Sequence, residues 1–115
     1  MKTQEQGAAA ESLACKFLKQ RGLVLVERNY RCKAGELDLI MEQDDGLVFV
    51  EVRMRNNPNF GSAAESVGRQ KQQRVIKAAQ HYLQRHRCHD RPCRFDIIAI
   101  DGNREIQWLQ NAFGL

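Results

Sequence analysis

Apolar positions recur along the chain with two different periods. Between residues 5 and 21, Ala10, Leu13, Ala14, Phe17 and Leu18 fall at i, i+3, i+4, i+7 and i+8, the stripe of an amphipathic helix. Gly22 follows Arg21 as a C-terminal stop. Residues 23–30 are rich in β-branched and apolar types and predict a strand. In 36–42 the period becomes two, with Leu37, Leu39 and Met41 on one face and Glu36, Asp38, Ile40 and Glu42 on the other. After the turn signal Gln43-Asp44-Asp45-Gly46, residues 47–55 predict a third strand. Val48, Val50 and Val52 point one way; Phe49, Glu51, Arg53 and Arg55 point the other. Apolar groups on both faces predict that both are covered.

The stretch 56–62, with Pro58 and Gly61, reads as a loop. A long helix is predicted over 63–86, its stripe made by Val75, Ile76, Ala79, Tyr82 and Leu83. Strands follow at 94–101 and 105–109, joined across Asp101-Gly102-Asn103. The predicted order is α-β-β-β-α-β-β, one α/β domain over residues 1–115. The helix between the third and fourth strands allows those two to pair in parallel.

Composition narrows the class. Of 115 residues, 43% are hydrophobic and 28% charged, which excludes a disordered tail, a collagen-like fibre and a coiled-coil rod. No apolar run approaches the roughly 18 residues of a membrane span, and Met1-Lys2-Thr3-Gln4-Glu5 holds no apolar signal core, so the expected location is the cytoplasm, without a membrane partner. The four cysteines then read as free thiols. His86, Cys88, His89 and Cys93 lack the paired spacing of a structural zinc site.

The net charge of +4 is unevenly spread. Residues 68–94 carry Arg69, Lys71, Arg74, Lys77, Arg85, Arg87, Arg91 and Arg94 against the single acid Asp90, a surplus of seven, so the rest of the chain is net negative. Such a block is the footprint of a polyanion binder; a solvated helix face is the other reading. Lys71 lies at the border of the helix stripe, where it either leans toward the sheet or stays in water. Asp96 shares a face with Ile98 and Ile100 and is read as structural, paired with Arg94 or a neighbouring strand.

The hairpin 36–55 carries the candidate chemistry. Either even-length turn places Asp38, Glu51 and Arg53 on one face, whereas a three-residue turn would set Asp38 opposite Val52. Two carboxylates side by side in a half-buried sheet repel, so a shared proton, an arginine or a divalent cation must stabilise them. Carboxylates plus water suit Mg²⁺ or Mn²⁺. The competing reading is an Asp38–Arg53 cross-strand ion pair with Glu51 solvated.

The runs Gly35-Glu36-Leu37-Asp38-Leu39-Ile40 and Val48-Phe49-Val50-Glu51-Val52-Arg53-Met54-Arg55 resemble the bacterial YraN family, as do Gly7, Glu11, Asn29-Tyr30-Arg31, Ser66-Val67 to Lys71, Arg94-Phe95-Asp96 and Asn111-Ala112-Phe113. That resemblance implies a restriction-endonuclease-like core close to archaeal Holliday-junction resolvases, with a central mixed five-stranded sheet flanked by two helices. It implies Mg²⁺- or Mn²⁺-dependent cleavage of structured, branched DNA, with Asp38 and Glu51 as the acids of an acid…Asp/Glu-x-Lys motif. Glu11 matches the helix acid that completes a metal site in resolvase-like members. Arg53 stands in the lysine position. It stays protonated and cannot act as a base, but it can stabilise charge on a phosphate. Arg55, Arg69, Lys71 and Arg74 are the expected nucleic-acid contacts, and a homodimer would suit a two-fold substrate. A binding module without turnover and a protein-interaction scaffold are the rival readings.

Overall fold

The computed structural model describes residues 4–55 and 67–114. Helix α1 spans Gln4–Gln20, strands β1, β2 and β3 span Val24–Cys32, Gly35–Gln43 and Gly46–Arg55, helix α2 spans Arg69–Arg85, and strands β4 and β5 span Cys93–Asp101 and Ile106–Phe113. The strands form one five-stranded sheet in the order β1-β2-β3-β4-β5. All neighbours are antiparallel except β3 and β4, which the α2 crossover makes parallel. This is the element order and mixed sheet expected for the resolvase-like core. Of the helix predicted over 63–86, residues 63–66 lie outside the described residues, as does the predicted loop 56–62.

The period-3.6 stripe of α1 packs on one face of the sheet. Ala10, Ala14, Cys15 and Leu18 meet Leu39, Met41, Val48, Val50, Val52, Ile98 and Ile100. The end of α1 is set by Gly22, whose φ of +93° is open to glycine at no steric cost. The Leu23 N–H donates to the Leu18 carbonyl (3.1 Å) and the Gly22 N–H to the Lys19 carbonyl (3.1 Å). These two bonds satisfy carbonyls that the helix end would otherwise orphan, and the buried Leu18 and Leu23 close the cap. On the opposite face, Val75, Ala78, Ala79 and Tyr82 of α2 cover Tyr30, Leu37, Ile40, Leu47, Phe49 and Phe95. Both faces are therefore covered, as the two-sided apolar pattern of β3 requires.

One expected alternation does not hold. The alternation predicts Leu37 on the face of Leu39 and Met41, but it packs under α2 while Leu39 and Met41 pack under α1. The period-two pattern is interrupted at Asp38. Across the ribbon, Arg28 pairs with Leu39 and Tyr30 with Leu37, which leaves Asn29 opposite Asp38. Asn29 has φ +55°, a left-handed value that asparagine tolerates better than most residues. The β1–β2 ribbon thus turns over at Asn29 and Asp38, and both Tyr30 and Leu37 swing to the α2 side.

Candidate active site

The turn between β2 and β3 has two residues, Asp44 and Asp45, with Gln43 opposite Gly46 and Leu39 opposite Val50. This even-length turn sets Glu42 against Leu47 and makes Asp38 and Glu51 the next facing positions. Pairing ends there, although both strands continue. Leu47 N–H donates to Pro92 O, so odd-numbered N–H groups of β3 aim toward β4 and even-numbered ones toward β2. The next N–H aimed at β2 is that of Val52, and it donates to Asp38 Oδ2 at 2.9 Å rather than to a backbone carbonyl. Asp38 is thus a carboxylate wedged where two strands part, and it is only 4% exposed.

Glu51 is 3% exposed and has the parity of Leu47 and Phe49, so it faces α2. Lys71, in the first turn of α2, brings its Nζ to 3.5 Å from Glu51 Oε1. Its side chain is 33% exposed, so the ammonium reaches both the buried carboxylate and solvent. Of the two readings open for Lys71, the structure selects the one in which it leans on the sheet. The helix border position signalled this, but the identity of its partner depended on the hairpin register.

Glu11 stands apart from this pair. It is buried on the α1 side, where Arg28 of β1 lies 3.8 Å from its Oε1. Arg28 also donates to Ser12 Oγ at 3.2 Å, which ties β1 to α1. Among the described residues, no three His, Cys, Asp or Glu side chains gather to hold a metal ion. The structure therefore brings Asp38 next to the Glu51–Val52 step but does not join Glu11 to them in one set. Arg53, two residues beyond Glu51 and opposite Ala99 of β4, is half-buried. Arg69 and Arg74 lie exposed on α2. Arg55 closes β3, and its side chain lies outside the described residues.

Asp96 is fully buried, as a structural anchor should be when paired. Arg94 Nε donates to Asp96 Oδ1 at 3.0 Å, the expected partner. Two further donors escaped the sequence: Trp108 Nε1 to Oδ2 (2.9 Å) and the Asn111 N–H to Oδ1 (2.9 Å). They come from β5, whose register shifts opposite Phe95 and Ile97. Only that irregularity turns Trp108 and Asn111 to the same carboxylate. Trp108 also packs edge-on to Phe17, with ring centroids 6.1 Å apart, and Phe95 stacks on Phe113 at 5.1 Å. These rings serve packing. All four cysteines are free thiols. No helix among the described residues is long and apolar enough to cross a membrane.

Residues 10–100 match the model of the uncharacterised protein family UPF0102. A UPF0102 protein of Nitrosomonas eutropha is 56% identical over 112 residues, covering 96% of this chain and 95% of that protein. One from Legionella pneumophila is 52% identical over 113 residues, covering 96% of each. One from Cupriavidus metallidurans is 55% identical over 116 residues, covering 98% of this chain and 84% of its own length. The matched span runs from the buried stripe of α1 through the acids of β2 and β3 to the end of β4, and by that extent and identity the chain belongs to the UPF0102 family.

Proposed function

We propose that the chain is a Mg²⁺- or Mn²⁺-dependent endonuclease acting on structured DNA, branched DNA among it. The observation that supports this most is the buried Asp38, bonded to the Val52 N–H where β2 and β3 part, with the buried Glu51 one residue away along β3 and paired with Lys71 of the basic helix. The donor set fits a hard divalent cation: carboxylate oxygens only, on rigid strands, with lone pairs beyond the one that Val52 occupies. Asp38 and Glu51 would hold it, with water completing the shell. Such an ion supplies Lewis-acid polarisation of a phosphoryl oxygen and lowers the pKa of a water. Glu11, beside Arg28 on the α1 side, stands outside this donor set and contributes less than the other two acids.

The remaining roles follow from charge and place. Lys71 presents an ammonium to the attacked phosphate while offsetting the charge of Glu51. Arg53 stays protonated and stabilises the charge that builds on the phosphoryl oxygens. Arg69 and Arg74, exposed on the same helix, contact backbone phosphates and set the register of the strand without reading its sequence. Water attacks phosphorus and gives up a proton to solvent, the P–O bond to the departing sugar oxygen breaks, and that oxygen leaves with a proton from solvent.

Binding without turnover is the second reading, and one distance favours it. An ammonium 3.5 Å from Glu51 already balances part of the charge that a metal would balance. Cleavage assays on a four-way junction with Mn²⁺ separate the two. Asp38→Asn keeps an oxygen to accept the Val52 N–H, so folding is preserved, and cleavage is expected to fall by about a hundredfold or more. Glu51→Gln should behave alike, Glu11→Gln should lose less, and EDTA should abolish product. Tight binding by the wild type with no product, or full activity in Asp38→Asn, would overturn the enzyme reading.

A further inference from the structure

A cavity of about 300 Å³ is lined by Arg31, Cys32, Gly35, Glu36, Lys71 and Arg74, and Lys71 links it to Glu51. Its walls come from two elements, the β1–β2 ribbon and the first turns of α2. What holds them together is Gly35. A Cβ built there would meet the Arg74 carbonyl oxygen at 2.8 Å, so the ribbon and the helix backbone approach as closely as only glycine permits. That approach brings Arg31 to the same cavity as Lys71 and Arg74. Three cations face one carboxylate, Glu36, which lies 3.3 Å from Arg31 Nε. The Arg31–Glu36 pair is largely exposed, so it is weak and readily exchanged for a stronger anion. The lining residues carry a surplus of two positive charges, one of which, on Lys71, is already paired with Glu51.

We propose that this cavity is a phosphate subsite: it seats a phosphate group of the nucleic-acid strand beside the Glu51–Lys71 pair, with Arg31 as a contact that the basic helix alone does not supply. The inference rests on the nucleic-acid partner proposed above and not on turnover. An arginine fork suits phosphate oxygens in a bidentate way, and the start of α2 adds the positive end of its dipole. The phosphate has two sources, an internal diester or a terminal monoester, and the latter carries close to two negative charges at neutral pH.

The test is binding by fluorescence anisotropy in EDTA, where cleavage plays no part. The probes are one internally labelled DNA duplex with single-stranded ends, made with 5′-phosphate, 3′-phosphate or hydroxyl termini. Arg31→Gln and Arg74→Gln are compared with Arg104→Gln, which removes the same charge from the exposed β4–β5 turn. Arg31→Gln is expected to weaken binding about tenfold. It should also lower the salt slope by about 0.7–0.9. Arg104→Gln should change affinity less than about twofold. An end-phosphate preference that vanishes in Arg31→Gln assigns a terminal group; equal losses on all three probes assign an internal diester. Equal weakening by Arg31→Gln and Arg104→Gln, or no weakening by Arg31→Gln, would overturn the subsite. Failure of Mn²⁺-dependent cleavage with the Arg31 effect intact would sink only the enzyme reading.

Discussion

Replacing Lys71 by methionine removes an ammonium while keeping most of the side-chain volume. At 3.5 Å and an effective dielectric constant of about 20, the Lys71–Glu51 attraction is of order 5 kcal/mol before desolvation. Two corrections shrink it. Lys71 is one-third exposed, so water screens the pair, and Glu51 keeps its other contacts. Against this, Glu51 is almost fully buried, and a buried carboxylate deprived of its cation is costly. The balance predicts a loss of about 1–2 kcal/mol for Lys71→Met. Urea unfolding followed by Trp108 emission reads it directly, since Trp108 is the only tryptophan and packs against Phe17. With a slope of about 1–2 kcal/mol per molar urea, the midpoint should fall by about 1 M. Glu51→Gln in the Lys71→Met background should recover part of that loss, because the amide needs no counter-charge. A double-mutant cycle therefore yields a coupling of about 1 kcal/mol between the two sites. Mn²⁺ should also raise the melting temperature of Lys71→Met more than that of the wild type, an ion standing in for the lost ammonium. A midpoint shift below about 0.3 M together with strictly additive mutations would refute the claim that the ammonium stabilises the buried acid.

The other expectations concern the scaffold. Asp96→Ala removes the acceptor of three donors and strands the Arg94 guanidinium, so stability should drop by about 2–4 kcal/mol with a shift in Trp108 emission; a change under about 1 kcal/mol would contradict an anchoring role. Asp96→Asn, which keeps acceptor oxygen, should lose less than the alanine variant in the same urea titration. Gly35→Ala forces the ribbon off α2 and should cost about 1–3 kcal/mol by calorimetry. It should weaken DNA binding alongside Arg31→Gln.

The chain's own pattern already determined the elements and their order. Period-3.6 stripes marked α1 and α2, period-two alternation marked β3, and two-sided apolar strands demanded cover on both faces of the sheet. Those signals are local, carried by residues within a few positions of each other. Gly22 as a helix stop belongs to the same class, because its left-handed φ and the Leu18–Leu23 closure are short-range. The acids Asp38 and Glu51 were legible as a facing pair only up to a choice of turn length. One residue of slip would have set Asp38 against Val52.

Tertiary structure decided the rest. It chose the register that leaves Asp38 bonded to the Val52 N–H where β2 and β3 part. It turned the β1–β2 ribbon over at Asn29 and Asp38, which moved Leu37 to the far face. It gave Glu51 to Lys71 and Glu11 to Arg28 on opposite sides of the sheet, so three acids that look like one set along the chain are divided between two faces. It let Gly35 carry the β1–β2 ribbon to within contact of α2, and so placed Arg31 at the cavity with Lys71 and Arg74. The physical reason is common to all four. A side chain's periodicity depends on its own strand or helix, whereas its partner depends on how distant segments twist and approach, and no local pattern encodes that distance.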